Sequence, residues 1–256
     1  SRGLGDVYKR QGEGIIQTNK EFIWAMESGS VTNYTHHSLP VKFGGWGAMS
    51  VPQRVIDCYL MADGRTINNS SADYPYEADF TKLTGESKKL GTYLLKENVP
   101  MMYANRSARF YASIGFPGRY WTMSSASTDA SYVNQQFWYS HDDTNAGIAG
   151  AGNNINDYCV SGYVPVKYIH TDDSWANGKG SVKGAFVTSP KPFPIIRYAE
   201  VLLEYVEALN RVEGTVTVEV ADNTGTLIEE TVSREFAEMA KYFNMIRYRS
   251  GLPGVD

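Results

Sequence analysis

The chain has 256 residues, of which 42% are hydrophobic and 20% charged, and its formal net charge is −4. This length accommodates one large or two small domains, and the hydrophobic fraction is sufficient for a folded core. A weakly acidic chain without a run of Lys or Arg does not attract phosphate backbones, so no nucleic-acid partner is expected. No apolar stretch approaches the roughly 20 residues of a membrane-spanning helix.

The N-terminal part predicts few regular elements. Residues 1–11 show no periodicity and no relation to the rest of the chain, so we interpret them as a non-native leader. Glu21–Met26 predicts a short strand, and residues 27–49 predict a long loop without regular structure. Ser50–Met61 then has the apolar spacing of a helix, with Ser50 as its N-cap.

Aromatic residues are frequent, at 13% of the chain with 18 Tyr and 5 Trp, and they accompany 24 Gly. This combination is typical of large loops that present aromatic faces. Residues 116–154 form such a segment and contain Trp121 and Trp138. Cys58 and Cys159 stand without a CxxC motif or a His cluster, which favours two buried small apolar residues and leaves a disulfide open.

The C-terminal part predicts a helical hairpin. Val201, Tyr205 and Leu209 have the i, i+4, i+8 spacing of an amphipathic helix. A second apolar stripe ends at Gly251, with Ser233 as the expected N-cap, and residues 214–231 between the helices alternate like a β-hairpin. Two such helices predict a tetratricopeptide-type pair. A single copy cannot bury its own apolar face, because such arrays need about three units or more.

The residues of this hairpin resemble one protein family. Arg197–Leu203, Glu207–Asn210 and Asn244–Pro253 are similar to the last repeat of SusD/RagB-like proteins. The strand at Glu21, the helix after Ser50 and the segment Ala104–Ile114 follow the order of the family. Within that last segment, Ser and Ala replace the Asp-Pro pair that family members commonly have, and the β-hairpin insertion is a second departure.

The resemblance implies a fold that is mostly α with long irregular loops and minor β, with one tetratricopeptide-type hairpin that carries the insertion. Members are longer than this chain, so we expect an internal or C-terminal-half fragment. Residues 12–256 would then be a partial SusD-like domain, with a loop-rich ligand-binding part at 21–190 and a helical repeat pair at 194–252.

Members of the family are surface lipoproteins of the Bacteroidetes outer membrane that bind nutrients, mostly glycans, for a partner TonB-dependent transporter of the SusC type. The resemblance therefore implies non-catalytic capture of an oligosaccharide at the cell surface. It also implies attachment through a lipidated N-terminus that lies outside this sequence.

Glycan binding needs flat apolar faces for sugar rings and planar polar groups for hydroxyls, usually on loops. The 27–49 segment offers Tyr34 and Trp46 first, and Asn33 and His37 beside them. The family keeps part of its ligand-contacting aromatics near this position. Trp46 could equally fill the core, because glycines surround it. Trp138 and Tyr139 form a second candidate cluster, for which the alternatives are a solvated loop or a surface that faces the transporter.

Nothing in the sequence predicts an enzyme, a cofactor or a metal site. No nucleophile motif occurs, and the adjacent His36 and His37 lack a third ligand nearby. Two other hypotheses remain open. A helical-repeat scaffold for a protein partner predicts an exposed apolar groove along Val201, Tyr205 and Phe243, where the glycan hypothesis predicts burial. A glycoside hydrolase would need two carboxylates that face each other across a pocket.

Overall fold

The structure is a computed structural model. The residues that it describes are 19–26, 31–40, 43, 45–78, 81–84, 88–90, 93–123, 134–138, 159–171, 173 and 192–256. Within them the helices are α1 (Val31–Ser38), α2 (Gln53–Asp57), α3 (Ala108–Ser113), α4 (Tyr198–Asn210) and α5 (Phe236–Arg249). Short 3-10 turns lie at Ile67–Asn69 and Met101–Tyr103.

The described strands form two-stranded antiparallel sheets only. They are β1 (Phe22–Met26), β2 (Lys88–Leu90), β3 (Tyr93–Leu95), β4 (Ile114–Gly115), β5 (Arg119–Trp121), β6 (Gln135–Phe137), β7 (Val164–Pro165), β8 (Phe193–Arg197), β9 (Thr215–Ala221) and β10 (Leu227–Ser233). The pairs are β1–β8, β2–β3, β4–β7, β5–β6 and β9–β10. The expectation of a mostly helical chain is met only in part, because in the described residues short strands outnumber helices.

Aromatic side chains build the larger core cluster. The rings of Tyr103 and Phe116 lie 4.7 Å apart and those of Phe110 and Phe116 lie 5.2 Å apart. The Tyr103 and Tyr163 hydroxyls are 2.9 Å apart, and burial raises the pKa of both phenols, so both stay protonated. Contacts between aromatic side chains, rather than a large sheet, therefore hold these short elements together.

A buried arginine ties this cluster to α2. The Arg106 side chain is 2% exposed, and its Nη2 donates to the backbone oxygens of Ile56 at 2.6 Å and Tyr59 at 2.9 Å. Its guanidinium also lies 4.8 Å from the centre of the Phe110 ring. Burial lowers the pKa of Arg106 from its very high usual value. Arg106 therefore provides a donor to the Tyr59 carbonyl and a second donor to the Ile56 carbonyl, which also accepts from the Tyr59 N–H.

A smaller cluster surrounds Phe43, which stacks on Phe137 with 4.6 Å between ring centroids. Trp121 belongs to it and is only 3% exposed. The ring of Trp121 is therefore a core component. Leu39, at the end of α1, joins the same cluster and fixes that helix against it.

The expectation of an irregular 27–49 segment is wrong for its middle part, which forms α1. Its Thr, Asn, His and Val residues are weak helix formers, so local propensity provides little sign of a helix. Val31, Thr35 and Ser38 are nevertheless buried, and Thr35 Oγ1 donates to the backbone oxygen of Tyr168 at 3.3 Å. Tertiary packing outweighs local propensity here.

The helix after Ser50 is shorter than expected. α2 follows Pro52, and Ser50 does not cap it. The Ser50 hydroxyl instead accepts from the Val160 N–H at 3.1 Å and lies 3.5 Å from Cys159 Sγ. Cys159 is buried but Cys58 is exposed, and both thiols are free, so the expectation of two buried cysteines is right for one only.

The C-terminal hairpin forms as expected. α4 and α5 pack through Ala199, Leu202 and Ile246, and β9 and β10 pair between them. α5 ends at Arg249, and the φ of 72° at Gly251, two residues later, allows the N–H groups of Gly251 and Leu252 to donate back to the last turn. The expected cap at Ser233 is wrong, because that residue ends β10. The assignment of this pair to the tetratricopeptide type stays a prediction.

The predicted apolar stripe of α4 is not the side of the helix that is buried. Leu202 is buried against α5 and Leu209 is also buried, whereas Val201 is 40% and Tyr205 is 42% exposed. Phe243 is half-buried. The burial that the glycan hypothesis predicted for Val201 and Tyr205 is therefore absent, because the helix turns its Ala199–Leu202–Leu209 face inward.

Candidate functional site

The turn after α1 folds back on the helix and places Trp46. The Trp46 N–H donates to His36 O at 2.9 Å, and the Met49 N–H donates to His37 O at 3.0 Å. These bonds satisfy carbonyls at the end of α1 that have no partner within the helix. Gly45 is buried in the turn, and a Cβ at this position would overlap the backbone of Leu39. Only glycine permits this approach.

Trp46 lies across two imidazole rings. Its ring is 4.3 Å from that of His36, tilted by 39°, and 4.5 Å from that of His37, nearly perpendicular. His36 is buried and His37 half-buried, yet 42% of Trp46 is exposed. The structure thus places an apolar aromatic surface in solvent on a rigid support, and Trp46 does not fill the core.

Polar neighbours adjoin this surface. Asn33 is exposed and stands four residues before His37 on α1, which puts the two on one side of the helix. Of the residues expected near the ligand, His37 and Trp46 are therefore in contact, and Asn33 lies on the same side of α1 as His37. We call these three residues the Trp46 surface.

Tyr34 lies one helical step away and is half-buried. Its ring meets the edge of Tyr168 at 5.5 Å between centroids. Burial, and then the neighbouring Tyr168, raise the pKa of Tyr34 to about 12. Its hydroxyl therefore remains a hydrogen-bond donor at neutral pH, in the wall of a cavity of about 250 Å³.

This cavity was not expected from the sequence, because its charged residues are far apart along the chain. Side chains of α3, β8, α5 and the segment after β7 converge there. The cations are Arg109, Lys167, Arg197 and Arg249. Periodicity and motifs carry no signal for such a convergence.

The structure describes only Trp138 of the second candidate cluster. Trp138 is half-buried, and a Cβ at Gly118 would lie 2.9 Å from its Cη2 atom. Among the described residues no ring contact joins Trp138 to Trp46. Tyr139 lies outside the described residues.

The SusD family matches residues 16–256, which is nearly the whole chain. The chain belongs to the SusD family. The fold is also similar to the selenomethionine structure of BT4246, a SusD-like protein of Bacteroides, with a TM-score of 0.57 and 17% identity. That alignment covers 98% of this chain and 38% of BT4246. No curated protein matches the chain.

SusD-family proteins are generally non-catalytic carbohydrate-binding proteins, usually surface lipoproteins, and the family implies a SusC-type partner. The cavity wall contains Tyr34 and four cations but no Asp or Glu from the described part of the chain. No cluster of three His, Cys, Asp or Glu side chains suited to a metal occurs in that part either. None of its helices is long and apolar enough to cross a bilayer.

Proposed function

We propose that this SusD-family chain captures an oligosaccharide on the Trp46 surface, without catalysis. The captured glycan is delivered to a TonB-dependent, SusC-like transporter at the outer membrane surface. The observation that carries the proposal is the exposed Trp46 ring, held in place by His36 and His37.

The chemistry of the Trp46 surface suits a sugar. The C–H face of a pyranose ring packs on a flat indole, and this contact excludes water from both. The amide of Asn33 donates and accepts hydrogen bonds and the imidazole of His37 adds a further polar group, which matches sugar hydroxyls. Because α1 and the Gly45 turn fix the indole, little side-chain entropy is lost on binding.

Trp138 and Tyr139 serve in this proposal as a second contact for a longer chain or for the transporter. Tyr34 forms the inner edge of the primary site. A hydrolase would need two carboxylates across a pocket, and the cavity wall supplies cations instead.

Trp46→Ala is expected to weaken binding of the best ligand from a glycan panel roughly 30-fold, because the loss of a central aromatic contact costs about 2 kcal/mol. Isothermal titration calorimetry measures this change. Trp24→Ala is the matched control, since Trp24 is an exposed tryptophan of β1, at 60%, that pairs with Ile196 and is not one of the three residues of the Trp46 surface, so this variant should keep the affinity of the parent. Equal losses in both variants, or no glycan binding by the parent chain, would contradict the proposal.

The exposed stripe of α4 favours a second candidate, a scaffold that docks a protein. The side chains of Val201 and Tyr205 expose apolar surface on α4. Exposed apolar patches of this kind are typical of protein-binding surfaces. If this stripe is the docking surface, Val201→Ser with Tyr205→Ser abolishes co-purification of the full-length protein with its transporter. Glu204→Gln, also exposed on α4, is the control. Retained complex in the double variant would exclude this candidate.

A further inference from the structure

We propose that the cavity beside Tyr34 binds an anionic group, a carboxylate or a sulfate, carried by the captured glycan. This inference rests on the function proposed above and specifies its substrate class. The cavity is lined by Arg109, Lys167, Arg197 and Arg249, which come from four separate segments.

The charges of the cavity are not balanced within the described residues. Arg249 forms an ion pair with Glu21. Arg109, Lys167 and Arg197 have no carboxylate within ion-pair distance in the part of the chain that the structure describes. Three cations thus face one volume without an ion-pair partner of their own in that part of the chain, since the nearby Glu21 pairs with Arg249, and an anion would stabilise this arrangement.

Burial and the neighbouring positive charges affect the protonation of Lys167. Burial, then the charges of Arg197, Arg109 and Arg249, lower the pKa of its ammonium group to about 8, while Glu21 opposes the shift. Tyr34, Tyr59 and Tyr168 are the other titratable groups nearby, and burial raises the pKa of Tyr34 and Tyr168, so these two phenols stay neutral at this pH. An anion in the cavity would offset the repulsion between Lys167 and the arginines and would favour the protonated form of the Lys167 amine.

The size and walls of the cavity define the ligand. Its volume of about 250 Å³ is below the roughly 300–1,000 Å³ of sites that enclose a whole drug-sized molecule, so one sugar ring or its charged substituent fits. Guanidinium forks match the paired oxygens of a carboxylate or sulfate. Val51, Val55 and Ile114 supply an apolar wall for a ring face.

The cavity is close to the proposed glycan surface. Tyr34, in the cavity wall, and His37, against Trp46, are three residues apart on α1, which corresponds to about 5–6 Å between Cβ atoms. An oligosaccharide stacked on Trp46 can therefore place the charged group of an adjacent sugar in the cavity.

The test compares four probes by calorimetry at pH 7: a uronic-acid oligosaccharide, a sulfated oligosaccharide and the neutral parent of each. The charged probes should bind at least about tenfold more tightly than their neutral parents. A hydrogen bond to a charged group typically contributes more free energy than a tenfold change in affinity requires. Lys167→Gln and Arg109→Gln should each remove most of that difference and leave binding of the neutral parents unchanged. Lys82→Gln, an exposed cation elsewhere, is the control and should change nothing.

The pH dependence gives a second readout that a merely structural role would not change. Lys167 is charged below its pKa and neutral above it, so the advantage of charged probes should fall between pH 7 and pH 9. Near pH 8, binding should take up a proton, and Lys167→Gln should abolish this uptake. Circular dichroism and melting curves confirm that each variant is folded.

The outcomes separate the two proposals. Equal affinity for charged and neutral glycans overturns the anion site but leaves glycan capture standing. Binding of free sulfate that requires Lys167, without binding of any glycan, supports the cavity as an anion site and overturns glycan capture. Loss of affinity in Lys82→Gln equal to that in Lys167→Gln overturns the assignment to the cavity. The preferred probe distinguishes carboxylate from sulfate.

Discussion

Arg106→Met is expected to lower the free energy of unfolding by about 3 kcal/mol. The substitution keeps an unbranched side chain of similar length but removes the donors to the carbonyls of Ile56, Tyr59 and Met102, of which the Ile56 carbonyl keeps a bond from the Tyr59 N–H. Each unsatisfied buried group costs about 1–3 kcal/mol. Removing a buried charge returns part of its desolvation cost, which is why the expected loss is below the sum. Urea unfolding monitored by fluorescence measures the change.

Two further variants test this explanation. Arg106→Lys keeps the charge but not the planar fork, so it should recover only part of the stability. Arg65→Met is the matched control, because Arg65 has an exposed side chain, and its expected effect is within about 0.5 kcal/mol. An Arg106→Met protein as stable as the parent would show that these carbonyls find other partners.

Gly118→Ala is expected to destabilise the protein by about 2–4 kcal/mol. Gly118 has a φ of +84°, and a Cβ would lie 2.9 Å from Trp138 Cη2 and 3.2 Å from Val99 Cγ2. The left-handed backbone alone costs about 1–2 kcal/mol for an L-residue. Overpacking of a buried site typically adds about 1–3 kcal/mol. Thermal and urea unfolding both report this loss.

Gly225→Ala provides the matched control for backbone strain. Gly225 has a φ of +85° in the turn between β9 and β10, and a Cβ there would meet nothing within 4 Å. Its substitution should cost only the strain, about 1–2 kcal/mol. The excess in Gly118→Ala should shrink when combined with Trp138→Ala, because that double variant removes the ring that the new methyl group meets. Equal losses in the two single variants would contradict the packing explanation.

In the rest of the chain, features that depend on neighbouring residues were predictable from the sequence, and features that depend on distant packing partners were not. The C-terminal helices and the strand pair between them were predictable, because their periodicities and the stop at Gly251 act within a few residues. The face of α4 was not, since the choice between burying Val201 or Leu202 depends on the position of α5. The helix α1 was missed because its propensities are weak and its stability comes from distant packing partners.

The same distinction between local sequence and tertiary packing applies to the candidate site. The amino-acid sequence was sufficient for the family and for the C-terminal hairpin with its insertion, because motifs and periodicity are local properties, whereas the choice of Trp46, Asn33 and His37 as ligand contacts stays a prediction. Tertiary packing was needed to place Trp46 in solvent on two histidines and Trp121 in the core. It also brought Arg109, Lys167, Arg197 and Arg249 to one cavity, because that convergence depends on contacts between segments that are distant along the chain.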